Sequence, residues 1–210
     1  MLETVRRRAR PYLADAPPAH DWHHVERVET LAETLIDRHP DTVDERTVRL
    51  AVLLHDIGRE REDRGKIDDH AQWGAREAAT ILEEVGAGPD TIDAVTHCIR
   101  SHRYSNAIEP ETLEAKLVSD ADNLDALGAV GIARVFAHGG AVGSPIFDSE
   151  TPPAEDTTTV GKTQYNHIHA KILDLPDRMY TDAGAALAET RVQFVREYIT
   201  QFDHERRGEQ

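Results

Sequence analysis

Apolar residues recur at helical spacing in one segment of the chain after another, and this periodicity restricts the fold more than any other feature. Val28, Leu31 and Leu35, for example, follow one another at three and four positions, which places them on one face of a helix. Proline or glycine lies shortly after most of these segments and signals the end of a helix. We find no segment that predicts a strand and no internal repeat. The sequence therefore predicts an all-α fold, a helical bundle.

Two stretches interrupt the helical pattern. Residues 59–66 are charge-dense and predict a solvated connector. Residues 141–162 lack periodicity and contain Pro145, Pro152 and Pro153, so they predict a long loop. Long loops in compact domains are often functional lids or disordered, and we expect residues 141–166 to close over a pocket. The predicted helices span residues 2–14, 22–38, 44–55, 71–85, 90–101, 111–128, 128–139 and 184–202.

The charge balance limits the classes of partner. The chain has 24 basic and 39 acidic residues, a formal charge of −15, and such a surface repels polyanions, which argues against long nucleic acid. Abundant acidic residues and scarce lysine are typical of a halophile-like surface. The single cysteine, Cys98, excludes an intramolecular disulfide and fits a reducing compartment. No apolar run approaches the roughly 18 residues of a membrane span. We expect a cytoplasmic protein without a membrane partner.

The stretch Leu53-Leu54-His55-Asp56-Ile57-Gly58 places a histidine and a carboxylate side by side at the end of an apolar helix. Neighbours inside a helix point in different directions, so His55 and Asp56 can reach one cation only where the helix ends, as Gly58 indicates. Imidazole nitrogen and carboxylate oxygen suit Mn, Fe, Ni, Co or Zn, with Mg as a further candidate. The alternative is a pair that only caps the helix. A metal site needs further ligands, and His24 and Asp122 lie on inward helix faces.

The order His24, His55-Asp56, Asp122 resembles the H…HD…D series of the HD superfamily of metal-dependent phosphohydrolases. Residues 19–28 and 116–134 resemble segments of its small stand-alone members, sometimes called YedJ-like or YpgQ-like. The resemblance implies an HD domain over residues 1–210, with a metal core at about 20–136 and residues 137–210 packed on it. It also implies that His24 and Asp122 are ligands together with His55 and Asp56. The reverse assignment of Asp120 and Asp122 stays open.

The resemblance implies a phosphomonoesterase, a phosphodiesterase or a nucleotide pyrophosphohydrolase that acts on a nucleotide or other small phosphate ester. Two imidazoles and two carboxylates would leave an octahedral ion two open positions, for water and for a phosphate oxygen. Asp120 or a nearby histidine could accept the proton of the water, and Arg59 or Lys66 could stabilise the phosphoryl oxygens. His102 is expected to touch the substrate phosphate or the water. The alternative function is a non-catalytic metal or nucleotide sensor with the same fold.

The number of ions is a separate question. His70 and His102 lie where two-metal members of the superfamily place extra histidines, but the small stand-alone relatives resemble single-metal enzymes. We expect one divalent ion, Mn, Ni, Co, Fe or Mg, and leave a second ion and a homo-oligomer open. Asn123 departs from the family pattern, where arginine or lysine is more usual, so we expect no phosphate contact there. The remaining candidates for contact with substrate or a second metal are His70, His97, Lys66, Lys162 and His167.

Overall fold

The computed structural model describes residues 1–103 and 108–209, and within these ranges it contains helices and no strand. The predicted all-α fold is therefore confirmed. Short 3₁₀ helices cover Arg10–Leu13, Pro153–Glu155 and Ile172–Arg178. The α-helices are α1 (Leu2–Ala9), α2 (Trp22–Arg38), α3 (Glu45–Leu54), α4 (Arg59–Asp63), α5 (His70–Glu84), α6 (Pro89–Ser101), α7 (Leu113–Asp125), α8 (Gly128–Val142), α9 (Gln164–Ala170) and α10 (Asp182–Arg206).

The chain divides into two compact units, Met1–Asn123 and Leu124–Gln210. The apolar stripes of α2, α3, α5, α6 and α7 form the core of the first unit, and each fully buried leucine or isoleucine contributes about 1.5–3 kcal/mol. The single domain predicted over residues 1–210, with its core at about 20–136, stays a prediction. The largest fully buried side chains of the first unit are Leu35, Leu50, Leu53, Leu54, Ile57, Leu82, Ile99 and Leu117.

Aspartate side chains cap the starts of α2, α3 and α5. Asp21 accepts a hydrogen bond from the backbone N–H of His24, and Asp44 accepts one from that of Thr47. Asp69 accepts from two backbone N–H groups at the start of α5. Each cap satisfies backbone donors that have no partner within the helix, which contributes about 0.5–2 kcal/mol. The caps therefore set the register of these helices.

The predicted connector at residues 59–66 is wrong in part, because it contains α4. No residue of α4 is buried, so the helix has no apolar stripe by which the sequence could have revealed it. Instead, Arg59 pairs with Glu62 and Asp63 one turn later, at 3.2 and 3.3 Å. Pairs three and four residues apart stabilise a helix.

The second unit also differs from the predicted pattern. Helix α8 ends at Val142 instead of at residues 139–140, because Gly143, with φ of 70°, takes the left-handed conformation that terminates the helix. The loop predicted over residues 141–166 is shorter, since α9 begins at Gln164 with Thr163 as its cap. Ala188, Val192 and Val195 on α10, with Ile168 and Leu175, are buried.

A single carboxylate organises much of the loop before α9. Asp156 accepts hydrogen bonds from the backbone N–H groups of Thr158 and Lys162 and from the side-chain amide of Asn166, at 2.7 to 3.0 Å. These bonds connect the loop to the first turn of α9. In the part of the chain that the structure describes, no helix combines the length and apolar character needed to cross a bilayer.

Candidate metal centre

The candidate ligands come from helix ends and from positions close to them. His24 lies in the first turn of α2, and Asp122 lies near the end of α7. His55 and His102 directly follow α3 and α6, and His70 is the first residue of α5. The regular backbone hydrogen bonding of a helix stops at its ends. Side chains from the ends of several helices can therefore point toward one common site.

Gly58 brings the start of α5 close to the His55–Asp56 turn. A Cβ atom at this position would lie 2.6 Å from the carbonyl oxygen of His70. The backbone of Gly58 has φ of −91°, which other residues also adopt. The glycine is therefore needed for the close approach of two segments and not for an unusual backbone conformation.

His24, His55 and Asp122 form a first group, which we call group A. The Nε2 atoms of the two histidines are 3.2 Å apart. Asp122 Oδ1 lies 3.3 Å from His24 Nε2 and 3.9 Å from His55 Nε2. Both histidines are buried, whereas the Asp122 side chain is 24% exposed. Group A therefore has one side open to solvent.

Asp56, His70 and His102 form a second group, group B. Asp56 Oδ1 lies 3.2 Å from His70 Nε2 and 3.9 Å from His102 Nε2. The other oxygen, Oδ2, lies 3.6 Å from His24 Nε2 and 3.8 Å from His55 Nε2. Asp56 therefore presents one carboxylate oxygen to each group.

The hydrogen bonds of the ring nitrogens show that the groups fit a cation. Nδ1–H of His55 donates to the carbonyl oxygen of Val52 and that of His102 to Ile99, each at 2.7 Å. A carbonyl oxygen only accepts, so Nδ1 of each ring carries a proton, and Nε2 presents its lone pair to the site whenever the ring is neutral. Such lone pairs, beside carboxylate oxygens, repel one another unless a proton or a cation lies between them. Nitrogen and oxygen donors in this arrangement suit a divalent metal.

Charge interactions shift the pKa values of the carboxylates in this site. Burial raises the pKa of Asp122, but its hydrogen bond and charge interaction with His24 outweigh burial and hold it well below the usual range. Burial likewise raises the pKa of Asp56, and the charges of His55 and His70 lower it well below normal. Both carboxylates are therefore ionised, as metal ligands must be.

The pKa values of the two histidines of group B are shifted in opposite directions. Burial, together with the neighbouring charge of His55, lowers the pKa of His102 to about 4, so its ring is neutral. Burial also lowers the pKa of His70, but hydrogen bonds to Asp56 and Glu62 raise it to about 9. A neutral ring is the form that binds a metal. His102 is therefore in that form without a metal, whereas His70 carries a proton that an ion would displace.

Glu62 and Arg103 also lie beside group B, and no sequence motif had pointed to either residue. Glu62 Oε2 lies 2.8 Å from His70 Nδ1, and Glu62 Oε1 accepts a hydrogen bond from Arg103 at 2.7 Å. Burial raises the pKa of Glu62, but its hydrogen bonding and charge interactions with His70, together with Arg103 and Arg59, lower it to about 2. Glu62 follows Arg59 by three residues, and this spacing indicates an ion pair only if both residues lie in a helix. The hydrophobic periodicity did not predict a helix here.

The other candidates lie outside both groups. Asp120 is fully buried on α7 but belongs to neither group, in contrast to Asp122. Lys66 is exposed, and His97 Nε2 accepts a hydrogen bond from the backbone N–H of Glu111 at 3.0 Å. Lys162 and His167 belong to the second unit, where Lys162 is exposed and His167 Nδ1–H donates to the carbonyl oxygen of Val160.

Asn123, the position that departs from the family pattern, is buried next to group B. Its side-chain amide donates to Ser119 Oγ at 3.5 Å, and Ser119 Oγ donates to the carbonyl oxygen of His102 at 3.2 Å. These bonds connect α7 to the residue that follows α6. Asn123 thus supports the backbone at His102.

Comparison with known proteins identifies the class of protein. The HD domain family matches residues 21–127, which include His24, His55, Asp56, His70, His102 and Asp122. The chain belongs to the HD domain family. It has an HD-superfamily hydrolase fold with His and Asp groups that could hold a divalent metal.

Individual relatives match over nearly the whole chain. The Bacillus subtilis protein described as uncharacterized protein YpgQ is 34% identical over 205 residues, which cover 96% of this chain and 91% of the relative. The crystal structure of YpgQ in complex with ADP has a TM-score of 0.76 at 30% identity and covers 98% of this chain and 97% of that one. An HD-superfamily hydrolase from Bacillus thuringiensis has a TM-score of 0.73 at 32% identity, with 97% and 95% covered.

Proposed function

We propose that this chain is a divalent-metal-dependent phosphohydrolase that acts on a nucleotide or another small phosphate ester. The observation that carries the proposal is the convergence of His24, His55, Asp56 and Asp122. The two imidazole nitrogens lie 3.2 Å apart, and each lies 3.3 to 3.9 Å from an oxygen of both carboxylates. Membership of a family with a hydrolase fold supports the same conclusion.

Group A and Asp56 Oδ2 would hold one ion, Mn, Ni, Co, Fe or Mg. The bound ion supplies Lewis-acid chemistry, since it lowers the pKa of water and neutralises charge on the phosphoryl group. The partly exposed side of Asp122 is the side from which water and substrate would enter.

The chain's own residues would orient the reacting groups. The neutral ring of His102 presents the Nε2 lone pair, which can accept a hydrogen bond from the attacking water. Arg59 and Arg103 place positive charge beside group B, where phosphate oxygens would be attracted. Asp120, which is fully buried on α7, is the further candidate to accept a proton.

Two observations support a nucleotide substrate. YpgQ has been crystallised with ADP, and the net charge of −15 disfavours a long polyanion. A nucleotide-binding sensor would also bind ADP, so turnover separates the two functions. A sensor binds the nucleotide and leaves it intact.

A second ion in group B is the alternative for which the geometry gives a specific reason. Asp56 Oδ1 faces His70 and His102 while Oδ2 faces His24 and His55, as a carboxylate that bridges two ions would. We propose one ion, with His70 bonded to Asp56, because His70 already satisfies Asp56 Oδ1 without a cation. Metal analysis after saturation with Mn decides the number: one equivalent supports the proposal, and two equivalents that fall to one in His70→Asn contradict it.

The function itself is tested by phosphate release. Protein stripped with EDTA and reloaded with Mn, Ni or Mg is offered mononucleotides, simple phosphomonoesters and single-stranded DNA. We expect metal-dependent release from a mononucleotide or small ester, abolished by His24→Ala and retained by the neighbouring His23→Ala, whose side chain is exposed and pairs with Glu26. Intact nucleotide with tight binding would instead indicate the sensor, and faster cleavage of DNA would refute the small substrate.

A further inference from the structure

The carboxylate of Glu62 accepts four hydrogen bonds. Oε2 accepts from His70 Nδ1–H at 2.8 Å and from Arg59 at 3.2 Å, and Oε1 accepts from Arg103 at 2.7 Å and from the backbone N–H of His70 at 3.3 Å. The side chain is only 16% exposed. A carboxylate has about four sites at which it can accept hydrogen bonds, so the position and rotation of this group are fully determined.

The place of His70 in its helix explains why it needs such a partner. His55 and His102 follow the last residues of α3 and α6, so the free carbonyl groups of the final turn, those of Val52 and Ile99, accept their Nδ1–H groups. His70 begins α5, where the free backbone groups are N–H donors and no helical carbonyl lies behind it. The acceptor for His70 Nδ1–H must therefore come from another element.

We propose that Glu62 is a positioning residue, which binds Nδ1–H of His70 and thereby directs His70 Nε2 toward Asp56 Oδ1. Its place in the proposed hydrolysis rests on the proposed function, because His70 acts there through Asp56. A carboxylate bonded to the far nitrogen of an imidazole fixes the orientation of the ring, so that His70 Nε2–H can donate to Asp56 Oδ1. Arg59 donates to Oε2 and Arg103 donates to Oε1, so each arginine holds one oxygen of the carboxylate in place.

A purely structural role is the rival explanation. In that case Glu62 would only join α4 to the residue that follows His102, through its bond to Arg103. Loss of Glu62 would then lower stability without a specific effect on His70. The state of the His70 ring therefore distinguishes the two roles.

The experiment compares Glu62→Gln and Glu62→Ala with the wild type. Glutamine keeps an oxygen that can accept Nδ1–H but removes the charge, whereas alanine removes both. Glu60→Gln is the matched control, because Glu60 is on the same helix and pairs at 3.0 Å with the exposed residue Arg64. ¹⁵N NMR of the imidazole nitrogens, with His70 assigned by its absence in His70→Asn, reports whether Nδ1 of His70 carries a proton. Titration with Mn and the kcat and KM for a small phosphate ester are measured on the same proteins.

We expect the wild type to show a protonated, exchange-protected Nδ1 at His70, and Glu62→Ala to lose that protection. Mn affinity or kcat should fall by about 10- to 100-fold in Glu62→Ala, the usual effect of losing a group that supports a ligand, here Asp56 through His70, and by less in Glu62→Gln. Glu60→Gln should match the wild type. A His70 signal and a Mn affinity unchanged in folded Glu62→Ala would overturn the proposal. If that variant does not fold, an unchanged Mn affinity and kcat in folded Glu62→Gln would do so.

The experiment distinguishes an error in the role of Glu62 from an error in the proposed function. If the wild type releases no phosphate from any substrate, the proposed function fails, and loss of His70 Nδ1–H protection in Glu62→Ala still supports the positioning role. If the wild type is active and Glu62→Ala equals it in NMR, Mn affinity and kcat, the positioning role alone fails.

Discussion

Groups A and B lie side by side and contain the same kinds of residue, and Asp56 of group B also faces group A through Oδ2, but the two groups are assembled differently. Two of the three members of group A, His24 and Asp122, lie within helices whose apolar stripes bring them inward. Group B consists of a turn residue and two residues at helix ends, Asp56, His70 and His102, and the orientation of His70 depends on Glu62 from a helix without buried residues. Group A is therefore a product of helix packing, whereas group B depends on local contacts around α4.

The largest effect is expected from removing a ligand in group A. Asp122→Ala should abolish both metal retention and hydrolysis, with losses greater than the about 100-fold typical of a supporting residue, while helical content is unchanged. Asp120→Ala is the comparison that matters, because Asp120 is on the same helix but in neither group. Metal analysis and phosphate release decide between them. Full activity in Asp122→Ala with loss in Asp120→Ala would reverse the assignment of the ligand.

Removal of a histidine in group B should separate turnover from metal binding. His102→Ala deletes the Nε2 atom that faces Asp56 Oδ1 but leaves group A complete. We expect kcat to fall by about 10²-fold or more, the size typical of a lost acid–base or hydrogen-bonding group, while the protein retains its tightly bound Mn. If the metal is lost in proportion to activity, His102 is itself a ligand and the distinction between the groups fails.

Gly58→Ala tests whether group B depends on the close approach of α5. The new Cβ would lie 2.6 Å from the carbonyl oxygen of His70, so α5 must shift, at a cost of about 1–3 kcal/mol. Thermal unfolding should show a lower Tm, and kcat should fall more than Mn content. Gly140→Ala is the control, since nothing lies within 4 Å of its Cβ inside α8. It should be neutral or slightly stabilising. Equal stability of the two variants would contradict the packing argument.

The smallest expected effect concerns Cys98 on α6, the helix that His102 follows. Burial and the nearby charge of Glu114 raise the pKa of this thiol to about 12, compared with about 8.5 in an unfolded chain. The folded thiol therefore stays protonated at pH 8 and should not react with a disulfide reagent, whereas the unfolded chain should react at once. Absorbance at pH 8 with and without denaturant measures this. Fast labelling of folded protein would show that α6 is less firmly packed than the structure indicates.

The sequence predicted most of the fold because the larger helices carry an apolar stripe, and several of them also begin with a capping side chain. Helix α4 has no buried residue, and the buried residues of α9 include the polar side chains of Gln164 and Asn166, so hydrophobic periodicity could not reveal either helix. The order of His24, His55, Asp56 and Asp122 was enough to single out the candidate ligands. Arg103 and Glu62 are 41 positions apart, and only tertiary packing shows that they meet at His70.

Anomalous diffraction from a crystal soaked in Mn tests the central claim most directly. We predict one strong peak within about 2.0–2.2 Å of His24 Nε2, His55 Nε2, Asp56 Oδ2 and Asp122 Oδ1, distances typical of nitrogen and oxygen ligands, with no peak at His70 and His102. A second peak of equal height in group B would contradict the single ion. A peak away from both groups, or none at saturating Mn, would contradict the metal site itself.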